Sequence, residues 1–172
     1  MKIDKKKSLV YCVCAAMLAA LATVATAYIK IPIPGTTGYV HLGDTVVYIA
    51  AALLPTPFAL ASGAIAGGLA DVLAGAPIWA PYSIVIKALL TLAFTYKKKT
   101  ILCTRNFIAL LVAVPITVLG YFAAEMLIYK GGAVASIPWN LGQAVASALA
   151  FLLIASILDA SKVKAHLNGP NY

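Results

Sequence analysis

An all-α integral membrane protein of six transmembrane helices, both termini cytoplasmic, is the fold this sequence predicts. Three observations carry the prediction. Of 172 residues, 63% are hydrophobic and only 10% charged, against about 25% charged in soluble domains. The long apolar runs are broken by Pro and Gly rather than by charge, and mean hydropathy is +0.97. The basic residues also collect beside apolar segments: Lys2, Lys5, Lys6 and Lys7; Lys97, Lys98, Lys99 and Arg105; Lys162 and Lys164. That is the positive-inside bias of membrane proteins. The net charge of +8 therefore reads as topology signals and lipid-headgroup contacts, not as a nucleic-acid footprint.

The segments follow in order. Ser8–Tyr28 comes first, after "MKIDKKK". With "ATA" at Ala25 to Ala27 it imitates a secretory signal, but its apolar run of about 20 residues exceeds a signal core of roughly 7–15. It is read as the first span. His41–Leu54 and Pro81–Tyr96, the second and fourth segments, are short for a bilayer that needs about 20 helical residues. Pro57–Leu73 lies between them, and Asn106–Tyr129 and Pro138–Leu158 complete the set. Charge parity decides the count. If the N-terminal and "KKK" clusters share a side, an even number of spans separates them; four fits, with "PTP" at Pro55 to Pro57 as a tight cytoplasmic turn. Two more spans return Lys162 and Lys164 to the cytoplasm. The whole chain is then one integral membrane domain, 1–172, in the cell membrane.

Three loops face outward on this topology: Lys30–Gly43, Gly75–Pro81 and Lys130–Pro138. The first, "KIPIPGTTGYVHLG", is the longest and richest in turn residues. Such loops are more often lids or binding loops than plain connectors. Small residues recur every four positions in two helices, at Ala15, Ala19, Thr23 and Ala27, flanked by Ala16 and Ala20, and at Ala59, Gly63, Gly67, Asp71 and Gly75. This spacing serves close helix packing or docking to another membrane subunit. Cys12, Cys14 and Cys103 show no disulfide or metal-ligand pattern and are expected as small buried residues.

Ionisable groups at membrane depth need a partner or a task. Asp44, Asp71, Lys87 and Glu125 are such groups, with Asn140 and Gln143 as neutral polar company. At 1.5 Å of rise per residue, Glu125 lies about 6 Å from the outer end of its helix, Gln143 about 8 Å and Lys87 roughly 9 Å. All six crowd the external half, leaving the inner half almost purely apolar. A pathway across the membrane would spread them through its thickness; a pocket open to the outside would not. Asp44 is expected to cap the second helix, with Gly43 giving a sharp backbone entry. Lys87 is expected to pair with Asp71 or Glu125. Tyr39, Trp79, Tyr82, Tyr129 and Trp139 all fall on the external side. They suit either an interfacial belt or the walls around a flat heterocycle. No phosphate loop, nucleophile elbow or zinc motif is present, and no cofactor or metal is implied.

The stretch "IPIPGTTGYVHLGD", then "GAIAGGLADVLAG" and "IVIKALL" resembles the substrate-binding S components of energy-coupling factor vitamin transporters, in the branch of the riboflavin, hydroxymethylpyrimidine and pyridoxine carriers. The resemblance implies a six-helix subunit that binds one vitamin from outside under its first outer loop. It also implies a membrane T subunit and two cytoplasmic ATPases as partners. Ala15, Ala16, Ala19 and Ala20 would dock the T subunit. Tyr39, His41, Trp79, Tyr82, Lys87, Glu125, Trp139, Asn140 and Gln143 are the expected substrate-binding set. A hydroxymethylpyrimidine- or pyridoxine-type ring is the leading ligand class, with riboflavin or another water-soluble vitamin behind it. The rival from another class is a structural or assembly subunit that holds no ligand.

Overall fold

A computed structural model describes residues 5–33, 39–129 and 134–168. Its elements are α1 (Lys5–Ala27), β1 (Lys30–Pro32), β2 (Tyr39–His41), α2 (Gly43–Leu53), α3 (Thr56–Leu73), a 3-10 turn (Pro77–Trp79), α4 (Ala80–Ala93), α5 (Thr104–Tyr129), α6 (Ile137–Ala160) and α7 (Val163–Asn168). Large aliphatic side chains point outward: Leu111, Leu119 and Leu127 on α5, and Leu149, Leu153 and Ile157 on α6, are all more than half exposed. Small residues fill much of the interior, among them Ala15, Ala19, Ala59, Ala66, Ala109, Ala113 and Ala155. This inverts the pattern of a water-soluble bundle. Lipid solvates the outer face, and small inner residues let helix backbones approach.

Among the described residues four helices are long and apolar enough to cross a bilayer: α1, α3, α5 and α6. The segments expected as second and fourth spans form the shorter helices α2 and α4. With 11 residues, α2 is about 16 Å long, well under the roughly 30 Å hydrocarbon core. Its position explains its sequence. It lies against α1, α3, α4 and α6, and Val47 through Leu54 are all buried. A helix surrounded by protein has no solvated or lipid-facing stripe and is apolar on every side. Tyr48 stacks on Phe94 at 4.9 Å and meets Phe151 edge-on.

The glycine stripe of α3 is an internal seam. A methyl added at Gly67 would stand 2.9 Å from the Ser83 carbonyl oxygen and 2.9 Å from Lys87 Cγ, so α4 sits where a side chain would otherwise be. The expected span through Pro115 continues unbroken in α5.

The chain is mostly helical, as expected, and its first long loop contains a short hairpin. Lys30–Pro32 and Tyr39–His41 form a two-stranded antiparallel hairpin in which Lys30 faces His41 and Ile31 faces Val40. Residues 34–38 of this loop, Gly38 among them, lie outside the described residues, as do Lys130 and the three residues after it. The opposite end of the bundle is more polar than expected. Buried Asn106 ties down the turn after α4, its Oδ1 accepting from Thr95 N–H at 2.8 Å and its Nδ2 donating to the Thr95 and Ile101 carbonyls. Asp159 receives the N–H groups of Ile101 and Leu102 at 2.7 and 2.9 Å. Thr91, near the same end of α4, is also buried, so the inner half is not purely apolar. Cys12, expected inside, is exposed on α1, while Cys14 and Cys103 are half-buried.

Candidate functional site

The hairpin sits over one end of the bundle and is fastened to it at several points. Tyr39 donates its hydroxyl hydrogen to Asp71 Oδ1 on α3 at 2.6 Å. Lys30 Nζ donates to the Ala74 carbonyl at 2.9 Å and lies 5.0 Å above the Tyr39 ring. From α6, Gln143 Oε1 accepts the His41 backbone N–H at 3.0 Å, and Gln143 Nε2 donates to Asp44 Oδ2 at 3.0 Å. Gln143 thus joins the hairpin to the start of α2 with both ends of one amide.

The ammonium of Lys87 pairs with Asp44 Oδ1, both groups fully enclosed. This corrects two expectations. The partner is neither Asp71 nor Glu125, and Asp44 does not cap α2. Leu42 stands at the N-cap without a side-chain bond; Asp44 lies in the first turn, where its carboxylate serves α4 and α6. Gly43 is required for close packing rather than for a sharp turn: a Cβ there would lie 1.8 Å from Thr26 Oγ1 and 3.0 Å from the Ala22 carbonyl oxygen. Lys87 Nζ also lies 5.4 Å from the Tyr121 ring centroid, whose hydroxyl shares a 3.1 Å hydrogen bond with Ser83.

Beside this polar core a cavity of about 20 Å³ is lined by Ile33, Tyr39, His41, Asp71, Trp79, Tyr121, Glu125 and Asn140. It has room for about one water molecule. Ser136 donates its hydroxyl hydrogen to Glu125 Oε2, and Asn140 Nδ2 donates to Ser136 Oγ at 3.4 Å. Trp79 packs against Tyr121 and Tyr129, each with centroids 6.1 Å apart.

Of the expected binding residues, Tyr39, His41, Trp79, Glu125 and Asn140 therefore meet at one cavity. Lys87 and Gln143 are buried in the adjoining network around Asp44. Tyr82 is half-buried against the core and does not line the cavity. Trp139 is 40% exposed and borders a separate groove beside Tyr28, Ile31 and Leu42. Sequence reasoning missed Tyr121, Ser136 and Thr26. Tyr121 was within reach, because it stands four residues before Glu125 and so shares its helical face.

His41 is held neutral by geometry. Its Nδ1 accepts the Gly43 N–H at 3.1 Å, which places the remaining ring proton on Nε2. Burial, reinforced by the nearby Lys87 charge, pushes its pKa down to about 3. Above an unfolded value near 6.5 both states are neutral and pH has no effect through this group. As pH falls below that, the opened chain takes up a proton that the closed hairpin refuses. The closed form is expected to lose about 2 kcal/mol between pH 7 and pH 5 through His41 alone. Unfolding in micelles across that range, compared with His41→Gln, reads the difference; parallel pH profiles would remove His41 from the account.

The fold and site define a helical membrane protein enclosing an aromatic, polar chamber at one end, beneath a surface hairpin. The family model for ECF-type riboflavin transporter S components matches residues 6–160, and the chain belongs to that family. It is accordingly a multi-pass membrane subunit of a transporter, from a family of binding subunits rather than of enzymes. It is also similar to a Pyrococcus woesei protein described as an uncharacterized protein in the gap 3′ region. Identity is 33% over 125 residues, 72% of this chain and 84% of that protein.

Proposed function

We propose that the chain is a six-span S component, both termini cytoplasmic, that binds a small aromatic vitamin or precursor of the hydroxymethylpyrimidine or pyridoxine type from outside. The observation that carries this reading is the cavity shared by Trp79, Tyr121, Tyr39, His41, Glu125 and Asn140. Aromatic faces with a few convergent polar groups are the lining a flat, polar-edged ring requires. At about 20 Å³ the chamber is closed to such a ring, so binding requires the hairpin to move. Its attachments through Tyr39, Gln143 and Lys30 are the contacts that would yield.

A module of one T subunit and two ATPases would supply the energy, as the family implies. The T subunit would dock on α1. There Ala16 and Ala20 are exposed beside buried Ala15 and Ala19, along an apolar furrow of about 460 Å³ completed by Phe58, Ile65 and Leu69 of α3. Riboflavin is the second ligand reading, favoured by the family match itself; its larger ring system demands a wider opening.

The test is thermal unfolding of the purified protein against a panel of water-soluble vitamins and their precursors. A ligand at 100 times its Kd adds about 2.7 kcal/mol of stability. One ring compound is expected to raise the melting temperature at micromolar concentration. No shift with any compound would leave the assembly-subunit reading.

A further inference from the structure

We propose that the ring accepted by this chamber carries a positive charge or a protonated nitrogen, which Asp71 and Glu125 meet. The inference rests on the reading of the chamber as a ligand pocket and narrows its substrate class.

Among the described buried residues at this end of the bundle, carboxylates outnumber ammonium groups. Three buried carboxylates, Asp44, Asp71 and Glu125, stand against one buried ammonium, Lys87, and Lys87 is bound to Asp44. Among the described residues no cation lines the cavity. His41, which does, accepts a hydrogen bond at Nδ1 and is neutral. Lys30 lies over the Tyr39 ring, tied to the Ala74 carbonyl. Asp71 is met only by neutral hydroxyls: Oδ1 receives that of Tyr39, and Oδ2, which has no well-formed hydrogen bond among the described residues, has the Ser83 hydroxyl near it. Glu125, 2% exposed, is met by the Ser136 hydroxyl, a neutral donor. Carboxylates removed from water are costly unless a donor or a charge meets them. Trp79 also lines the cavity, and an indole ring attracts cations. A ring bearing its own carboxylate would face repulsion from both acids.

Three compounds that share one ring and differ in one arm test this: pyridoxamine with an ammonium, pyridoxine with an alcohol and 4-pyridoxic acid with a carboxylate. Thiamin, with a fixed positive charge, and riboflavin, uncharged, extend the panel. Titration calorimetry on the detergent-purified full chain is expected to rank the charged rings first. The ammonium should bind at least tenfold tighter than the alcohol, and the carboxylate should not bind. Glu125→Gln and Asp71→Asn should each reduce the ammonium's advantage over the alcohol severalfold. If either variant fails to fold, the ranking on the native protein still decides. Tightest binding by an uncharged ring, or an unchanged ranking in both variants, overturns this proposal and leaves the vitamin-binding reading standing. Binding by no ring of any charge removes both.

Discussion

Lys87→Met is expected to destabilise the protein by about 3–5 kcal/mol, the cost of leaving one member of a buried ion pair without its partner. The member left behind is Asp44, which is 0% exposed and would keep Gln143 Nε2 as its remaining donor. A methionine fills the stem's volume beside Gly67, so the loss reports on charge more than on packing. The double substitution Asp44→Asn with Lys87→Met should recover most of it, because a neutral amide still offers Gln143 an acceptor and no longer needs a cation. Unfolding of the four proteins in micelles gives the coupling energy directly. A single-variant loss under about 1 kcal/mol would mean that Lys87 and Asp44 do not depend on each other.

The second large effect is expected at Gly43. Gly43→Ala places a methyl 1.8 Å from Thr26 Oγ1, which must rotate away, and 3.0 Å from both the Ala22 carbonyl oxygen and Thr26 Cβ, where α1 and α2 must give by a few tenths of an ångström. Overpacking of this kind costs roughly 1–3 kcal/mol. The site lies one residue past Leu42, so the strain also reaches the hairpin, whose His41 Nδ1 accepts from Gly43 N–H. Combining it with Thr26→Ala removes the hydroxyl but leaves the Cβ contact at 3.0 Å, and partial recovery is expected. Equal stability of Gly43→Ala and the native protein would show that the two helices are not in close contact there.

Much of the architecture is legible in the sequence because lipid-facing helices advertise themselves. The runs ending at Leu73, Tyr129 and Leu158 match α3, α5 and α6 to within two residues at that end. The gathering of Asp44, Asp71, Lys87, Glu125, Asn140 and Gln143 near one end is also readable from the chain. Pairing is not. Lys87 and Asp44 are 43 residues apart, and their meeting depends on α2 lying against α4, a packing fact that no local pattern encodes. The hairpin is hidden for a different reason: three-residue strands, one ending at Pro32, carry too little alternation to register.

Helical phase accounts for the misplaced aromatics. Asn140 and Gln143 share the inward face of α6, so Trp139, one residue from Asn140, is turned about 100° away from it. Tyr82 bears the same relation to Ser83, which opens the buried row Ser83, Ile86, Lys87 and Leu90 on α4. Membership of the outer end was inferred from depth alone, whereas lining the cavity needs depth and phase together. Tyr121 and Glu125 satisfy both.

Native mass spectrometry of the protein freed gently from micelles, with and without added pyridoxine-, pyrimidine- and flavin-type compounds, probes the chamber most directly. The account predicts a one-to-one adduct with the mass of a single small heteroaromatic molecule, retained through purification or formed on addition. A bare chain, or a chain carrying lipid alone, at every concentration of every compound would contradict it.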